Sequence, residues 1–277
     1  MKKKYILLLS SIMLAAGITA CNQSPTVESS EAQSDAVDTA TNESLTGLSD
    51  DAQLKERNER KARSMAIVAE RDIYVMAQLP LIEAESEAAF QTTEEIARRG
   101  VALMVLALYS ESMLNPEVGY TVEEAKVYIN QIIKQYGIED DFSPAEKAYL
   151  ENSNPTEMEM INYSWQYENL GVMLWALGLM DELPFPDTIV DVGLAVQRVN
   201  QFETIDEMVA GTTPKTPAEI LDAADLIYRL DWACVEARIN GKEAPGNLDS
   251  GVVMERHKSL NWLIRRGEDW DEIDIST

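Results

Sequence analysis

His257 is the single histidine of the chain, and so the only side chain whose unperturbed pKa lies near neutral pH. At helical spacing it shares a stripe with Val253, Leu260 and Ile264, and Asn261 follows one turn on, within hydrogen-bonding reach. Such a set could act as general acid or base. The commoner role of a histidine on an apolar stripe is a half-buried one satisfied by a neighbour, and that is the expectation here. Asp225 and Arg229 are spaced i,i+4 with the acid first, the favourable helical order. Trp232 follows three residues later and Asp222 precedes by one turn. Together they could clamp an anionic ligand beside an indole, or form a structural ion pair at the edge of the core, which is the reading preferred. Asp222 and Asp225 as paired carboxylates have no spacing that separates them from a solvated face.

Other chemistry-bearing residues carry plainer readings. Trp165 and Trp175 lie ten residues apart on one helical face, with Trp232 and Trp262 on the next two helices. Indoles on amphipathic helices usually belong to the core, with the N–H reaching a polar partner. Cys234 sits among Leu230 and Ala237, the setting of a buried, inert thiol. The stretch from Glu268 to Asp274 is rich in acids but lacks the glycine and terminal glutamate of an EF-hand, so a solvated end is expected instead of a calcium loop. Phosphate-loop, dinucleotide-binding and serine-elbow motifs are missing. No cofactor and no metal is implied, since one histidine and one cysteine beyond residue 21 cannot build a zinc site of several such ligands.

The chain has 277 residues, with 48 Asp plus Glu against 23 Lys plus Arg. Phosphate binding needs clustered Lys and Arg, so nucleic acid is excluded as a partner. Its hydrophobic content of 45% is that of an ordinary globular protein. Lys2, Lys3 and Lys4 precede an apolar stretch from Ile6 to Ile18 that is too short to span a bilayer and fits an export signal. Ile18-Thr19-Ala20-Cys21 resembles the bacterial lipobox. That resemblance implies cleavage after Ala20 and a diacylglyceryl thioether on Cys21, hence a membrane partner through lipid. Loss of residues 1–20 would take three lysines and no acid, leaving a net charge of −28. Asn22, in place of an aspartate, leans towards the outer membrane if the host is Gram-negative.

Between Asn22 and Gln53 small polar and acidic residues dominate, with few aliphatics and no base. Such a segment cannot bury enough apolar surface to order itself, and reads as a tether of on the order of 30 Å. Helix signals follow. Lys55 to Glu70 is charged and rich in alanine, and Pro80 interrupts. Thr92 or Thr93 then caps a helix running to about Met113. Thr121 to Glu124 and Ser143 to Glu146 are capping boxes, and Thr156 to Glu159 opens a long helix ending near Gly178. Thr216 caps a helix ending at Asn240-Gly241, and Asp249 starts the last one. Val101 to Leu108 and Leu170 to Met180 are apolar on every face but too short for membrane spans. Thr188 to Val192 is ambiguous. The expectation is one all-α domain over residues 54–277, a single globular multi-helix unit around two central hydrophobic helices.

Three segments together resemble the bacterial family called domain of unknown function 4272: Ser164 to Gly178, Glu219 to Ala233, and Glu255 to Leu263. Trp175-Ala-Leu-Gly178 and Asn261-Trp-Leu263 are the most specific pieces, and the Thr93 to Arg99 helix start and Trp270 to Asp274 fit as well. The resemblance covers about residues 55–277, implies an α-helical domain and implies no activity. Members often place His before the Trp of the second segment. Here that position is Asp231, which removes a second histidine from any catalytic pair. The functional expectation is a lipid-anchored envelope protein whose helical domain binds a protein or small ligand without catalysis. The alternatives are an enzyme, such as a hydrolase, using His257 with Arg229, Asn261 and nearby acids, or a purely structural envelope component.

Overall fold

The computed structural model describes residues 49–277. The export signal, Cys21 and nearly all of the expected tether lie outside the described residues. Ser49 caps α1 (Asp50–Glu70), which therefore starts ahead of the boundary expected at residue 54. Then follow α2 (Thr93–Leu114), α3 (Val122–Tyr136), α4 (Pro144–Glu151), α5 (Glu157–Ser164), α6 (Gln166–Ala176), α7 (Val192–Val199), α8 (Ile205–Ala210), α9 (Pro217–Ile239) and α10 (Ser250–Ile264). The described residues contain no β-strand, only an isolated bridge between Ala89 and Arg265. The fold is all-α, as the residue patterns implied.

The helix starts come from local chemistry. Thr92, Thr121, Ser143, Thr156 and Thr216 each accept from the backbone amide three residues on, while the Glu at that position accepts from the cap residue's own amide. Each box satisfies two amides that a helix start leaves unpaired. At the far end, Gly178 stops the chain after α6 with φ of 71°, and a Cβ there would run into the Thr213 carbonyl.

Two helices form the centre. Residues Tyr167 to Ala176 of α6 are all buried, and α2 is buried on nearly every face. A helix apolar all round needs cover on more than one side. α6 has α2 on one flank and α10 on another, while α3, α5 and α8 complete the cover of α2, and α1 packs on α9. Gly100 brings α6 close, since a Cβ there would sit 3.3 Å from the Met173 Cβ.

The segment after α1 has no regular structure, so its carbonyls need other donors. The α1 cations supply them. Arg57 donates to the Ile82 and Leu81 carbonyls at 2.7 and 3.1 Å, Arg60 to Glu83 at 2.7 Å, and Lys61 to Ala77 and Leu79 at 2.6 and 2.8 Å. Among the described residues no helix is long and apolar enough to cross a membrane.

Two expectations need correction, and the ambiguous stretch is resolved. The helix opened by Thr156 is interrupted at Trp165, giving α5 and α6. The Ser164 hydroxyl donates back to the Ile161 carbonyl at 2.6 Å, and Glu168 N reaches Trp165 O in a tighter turn, the bonding that bends helices. Thr188 to Val192 is no strand: Val190 donates its amide to Glu168, and Asp191 caps α7. The acidic end is not simply solvated. Trp270 and Ile273 are buried, and Asp271 accepts from Ser143 Oγ and Ala145 N at 2.6 and 2.9 Å, holding the start of α4.

Candidate functional site

His257, Arg229 and Asn261 do not converge. His257 is 1% exposed, and its Nδ1 lies 2.8 Å from Asp231 Oδ2 on α9. The expected partner, Asn261, turns elsewhere and donates to the Asp274 carbonyl at 2.7 Å. Asp231, on the facing helix, takes the place of the amide one turn along the same helix. Arg229, fully buried, makes a bidentate pair with Asp225 at 2.7 and 2.8 Å, while its Nη1 has no partner among the described residues. This pair lies within the core and not at its edge. Asp222 is separate from it, on the surface, accepting from Arg63. Trp232 is also separate, meeting Tyr74 edge to face at 6.0 Å.

The remaining candidates pack against the fold. Trp175 and Trp262 are buried, and Trp165 lies over Gly251 at the start of α10. Cys234 is buried, and burial pushes its thiol up to about 11, so little thiolate forms at neutral pH.

A polar seam between α6 and α10 was not foreseen. Glu168, buried, accepts from Arg256 at 3.2 and 3.3 Å and from the Val190 amide at 2.5 Å. Asn169 donates to Glu255 at 2.5 Å and to Gln166 at 3.1 Å, and accepts from Ser259 at 2.6 Å. Burial pushes the Glu255 carboxyl up to about 7. Lys258, one turn on, is held below its usual range by burial, its ammonium 4.7 Å from the Trp270 ring centre. Arg99 approaches the same ring at 4.3 Å while paired with Glu146. The sequence signal was there: Gln166, Glu168, Asn169, Glu255, Arg256 and Ser259 interrupt otherwise apolar helix faces.

The surface has a different character at the corner between α2 and α3. Tyr120, Glu123, Glu124, Val127, Tyr128 and Gln131 line an open depression of about 420 Å³. Residues 123, 124, 127, 128 and 131 share a face of α3 at helical spacing, and the Tyr120 amide donates to Ser112 at the end of α2 at 3.0 Å. The rings of Tyr120 and Tyr128 meet at 71° with centres 6.3 Å apart. The Glu124 carboxyl is held below the usual range by the Thr121 amide and hydroxyl, so it stays ionised. Glu111, in the last turn of α2, accepts from the Tyr167 hydroxyl at 2.6 Å and is pushed up by burial. Among the described residues neither Glu111, Glu123 nor Glu124 has an ion-pair partner. Sequence reasoning passed over this corner because its acids look like ordinary helix-start residues.

A family model described as Domain of unknown function (DUF4272) matches residues 60–273. No curated protein and no solved structure matches the chain.

Proposed function

Because the chain belongs to the DUF4272 family, whose description assigns no activity, we propose a function from its own residues: a lipid-anchored protein of the bacterial envelope whose helical domain binds a ligand without catalysis. The anchor is the lipid on Cys21, supported by the lysine-led apolar leader and the lipobox pattern. The carrying observation for the domain is a contrast. His257, Arg229 and Asn261 are each closed by an internal partner, whereas the Tyr120–Tyr128 corner is open and no basic residue is among those that line it. The envelope location, with Asn22 favouring the outer membrane in a Gram-negative host, follows from the leader alone.

Two measurements test the halves of this reading. Replacing Cys21 with Ser should move the protein from the membrane fraction to the soluble one; continued membrane attachment after cleavage of the leader would overturn the anchor. A thermal-shift screen of small molecules against the purified protein and its Tyr120→Ala variant tests the domain. Ligands that raise the melting temperature of the parent and not of the variant are expected. A screen with no Tyr120-dependent hit would overturn the binding role of this corner.

A further inference from the structure

The corner between α2 and α3 has chemistry that selects a class of ligand, and the argument rests on the binding role just proposed. Aromatic faces carry negative potential, and rings that meet at an angle can wall a cation on two sides. Tyr120 and Tyr128 meet in this way, 6.3 Å apart at 71°. The depression they flank is also lined by Glu123 and Glu124, by aliphatic Val127 and by Gln131, with no basic residue. The one lysine within the span of the lining, Lys126, is engaged elsewhere, donating to the Glu151 and Asn152 carbonyls at 3.2 and 3.3 Å.

The electrostatics have two signs to weigh. Glu123 and Glu124 sit in the first turn of α3, where they offset the positive end of that helix. That end carries only a partial positive charge, so the two carboxylates lining the depression leave it negative.

We propose that this corner binds a small alkylammonium cation, with its head against the Tyr120 and Tyr128 rings, its alkyl part on Val127, and Glu123 and Glu124 as counter-charges. A partner of negative charge would meet carboxylates with no base among the residues that line the depression. A neutral apolar ligand would gain nothing from them.

Choline is the probe, and 3,3-dimethylbutan-1-ol, of the same shape without charge, is the comparison. Saturation-transfer NMR on the purified protein should give a choline dissociation constant on the order of millimolar. The neutral alcohol should bind about tenfold more weakly. Tyr120→Ala should weaken choline about fivefold, while Tyr120→Phe, which keeps the ring, should retain it. Glu123→Gln and added salt should each weaken it. Equal binding of choline and the alcohol, no binding of choline, or unchanged binding in Tyr120→Ala overturns the proposal. Circular dichroism confirms that each variant is folded, and Tyr120 is partly exposed. If choline fails while the thermal-shift screen still yields Tyr120-dependent ligands, the cation assignment falls and the binding role stands. If both fail, both fall.

Discussion

The imidazole of His257 is closed against the carboxylate of Asp231, Nδ1 to Oδ2 at 2.8 Å, with both side chains buried between α9 and α10. The pair joins two helices that pack along their lengths, so its first consequence is mechanical. Asp231→Leu leaves a buried imidazole without its acceptor, and should lower unfolding free energy by about 3 kcal/mol. Urea denaturation of both proteins measures this. The same variant, while still folded, should bind ligands at the α2–α3 corner as the parent does.

Arg229 and Asp225 make the deeper pair, and its energy differs in kind. Removing one partner strands a buried charge, so Asp225→Asn should cost about 3 kcal/mol. Replacing both, Asp225→Leu with Arg229→Met, removes the desolvation cost together with the attraction and the orphaned Nη1. The double variant should therefore be more stable than the single one, as a denaturation cycle would reveal. A double variant as unstable as the sum of the singles would mean that the pair is needed for packing instead.

How much of this was legible in the sequence follows the range of each interaction. Helix starts are local, and Thr121 with Glu124, or Ser143 with Glu146, marked their helices to the residue. The two apolar runs identified the central helices, because all-round hydrophobicity demands burial. The break at Trp165 depended on one hydroxyl turning back to a carbonyl. α8 was missed although Thr204 and Glu207 form a start signal, since six residues hold too little periodicity. The site was less legible still. His257 met Asp231 across 26 residues, and spacing along a helix carries no information about the facing helix. Trp270 looked solvated among acids, yet the rings of Trp262 and the cations of Arg99 and Lys258 receive it.

Trp270 thus holds the end of the chain to the domain. It is buried edge-on to Trp262, ring centres 5.7 Å apart, and Asp271 beside it caps the start of α4. Trp270→Ala should cost about 3–4 kcal/mol through the cavity it leaves. It should also expose the end of the chain to protease, so limited proteolysis of the variant should clip after Arg265 or Arg266 before the parent is cut. Equal protease resistance would mean that Asp271 alone suffices to hold the segment.

Glu255 gives the domain a pH dependence of a particular sign. Burial raises its carboxyl to about 7, while an unfolded glutamate titrates at about 4.3. Between those values the folded state holds a proton that the unfolded state has released, so this group makes stability fall as pH rises. Its cost is absent below the unfolded value and complete above about 7. The groups facing it are Asn169, which donates to it, Lys258, whose charge favours ionisation, and Glu168, whose charge opposes it. Glu255→Gln keeps an oxygen to accept from Asn169 and cannot ionise. Melting temperatures of the two proteins should then be close at pH 5 and diverge by pH 8, with the variant the more stable by about 1–2 kcal/mol. A gap of the same size at both pH values would show that Glu255 does not titrate in this range, and a variant less stable at pH 8 would make the ionised carboxylate a net stabiliser of the seam.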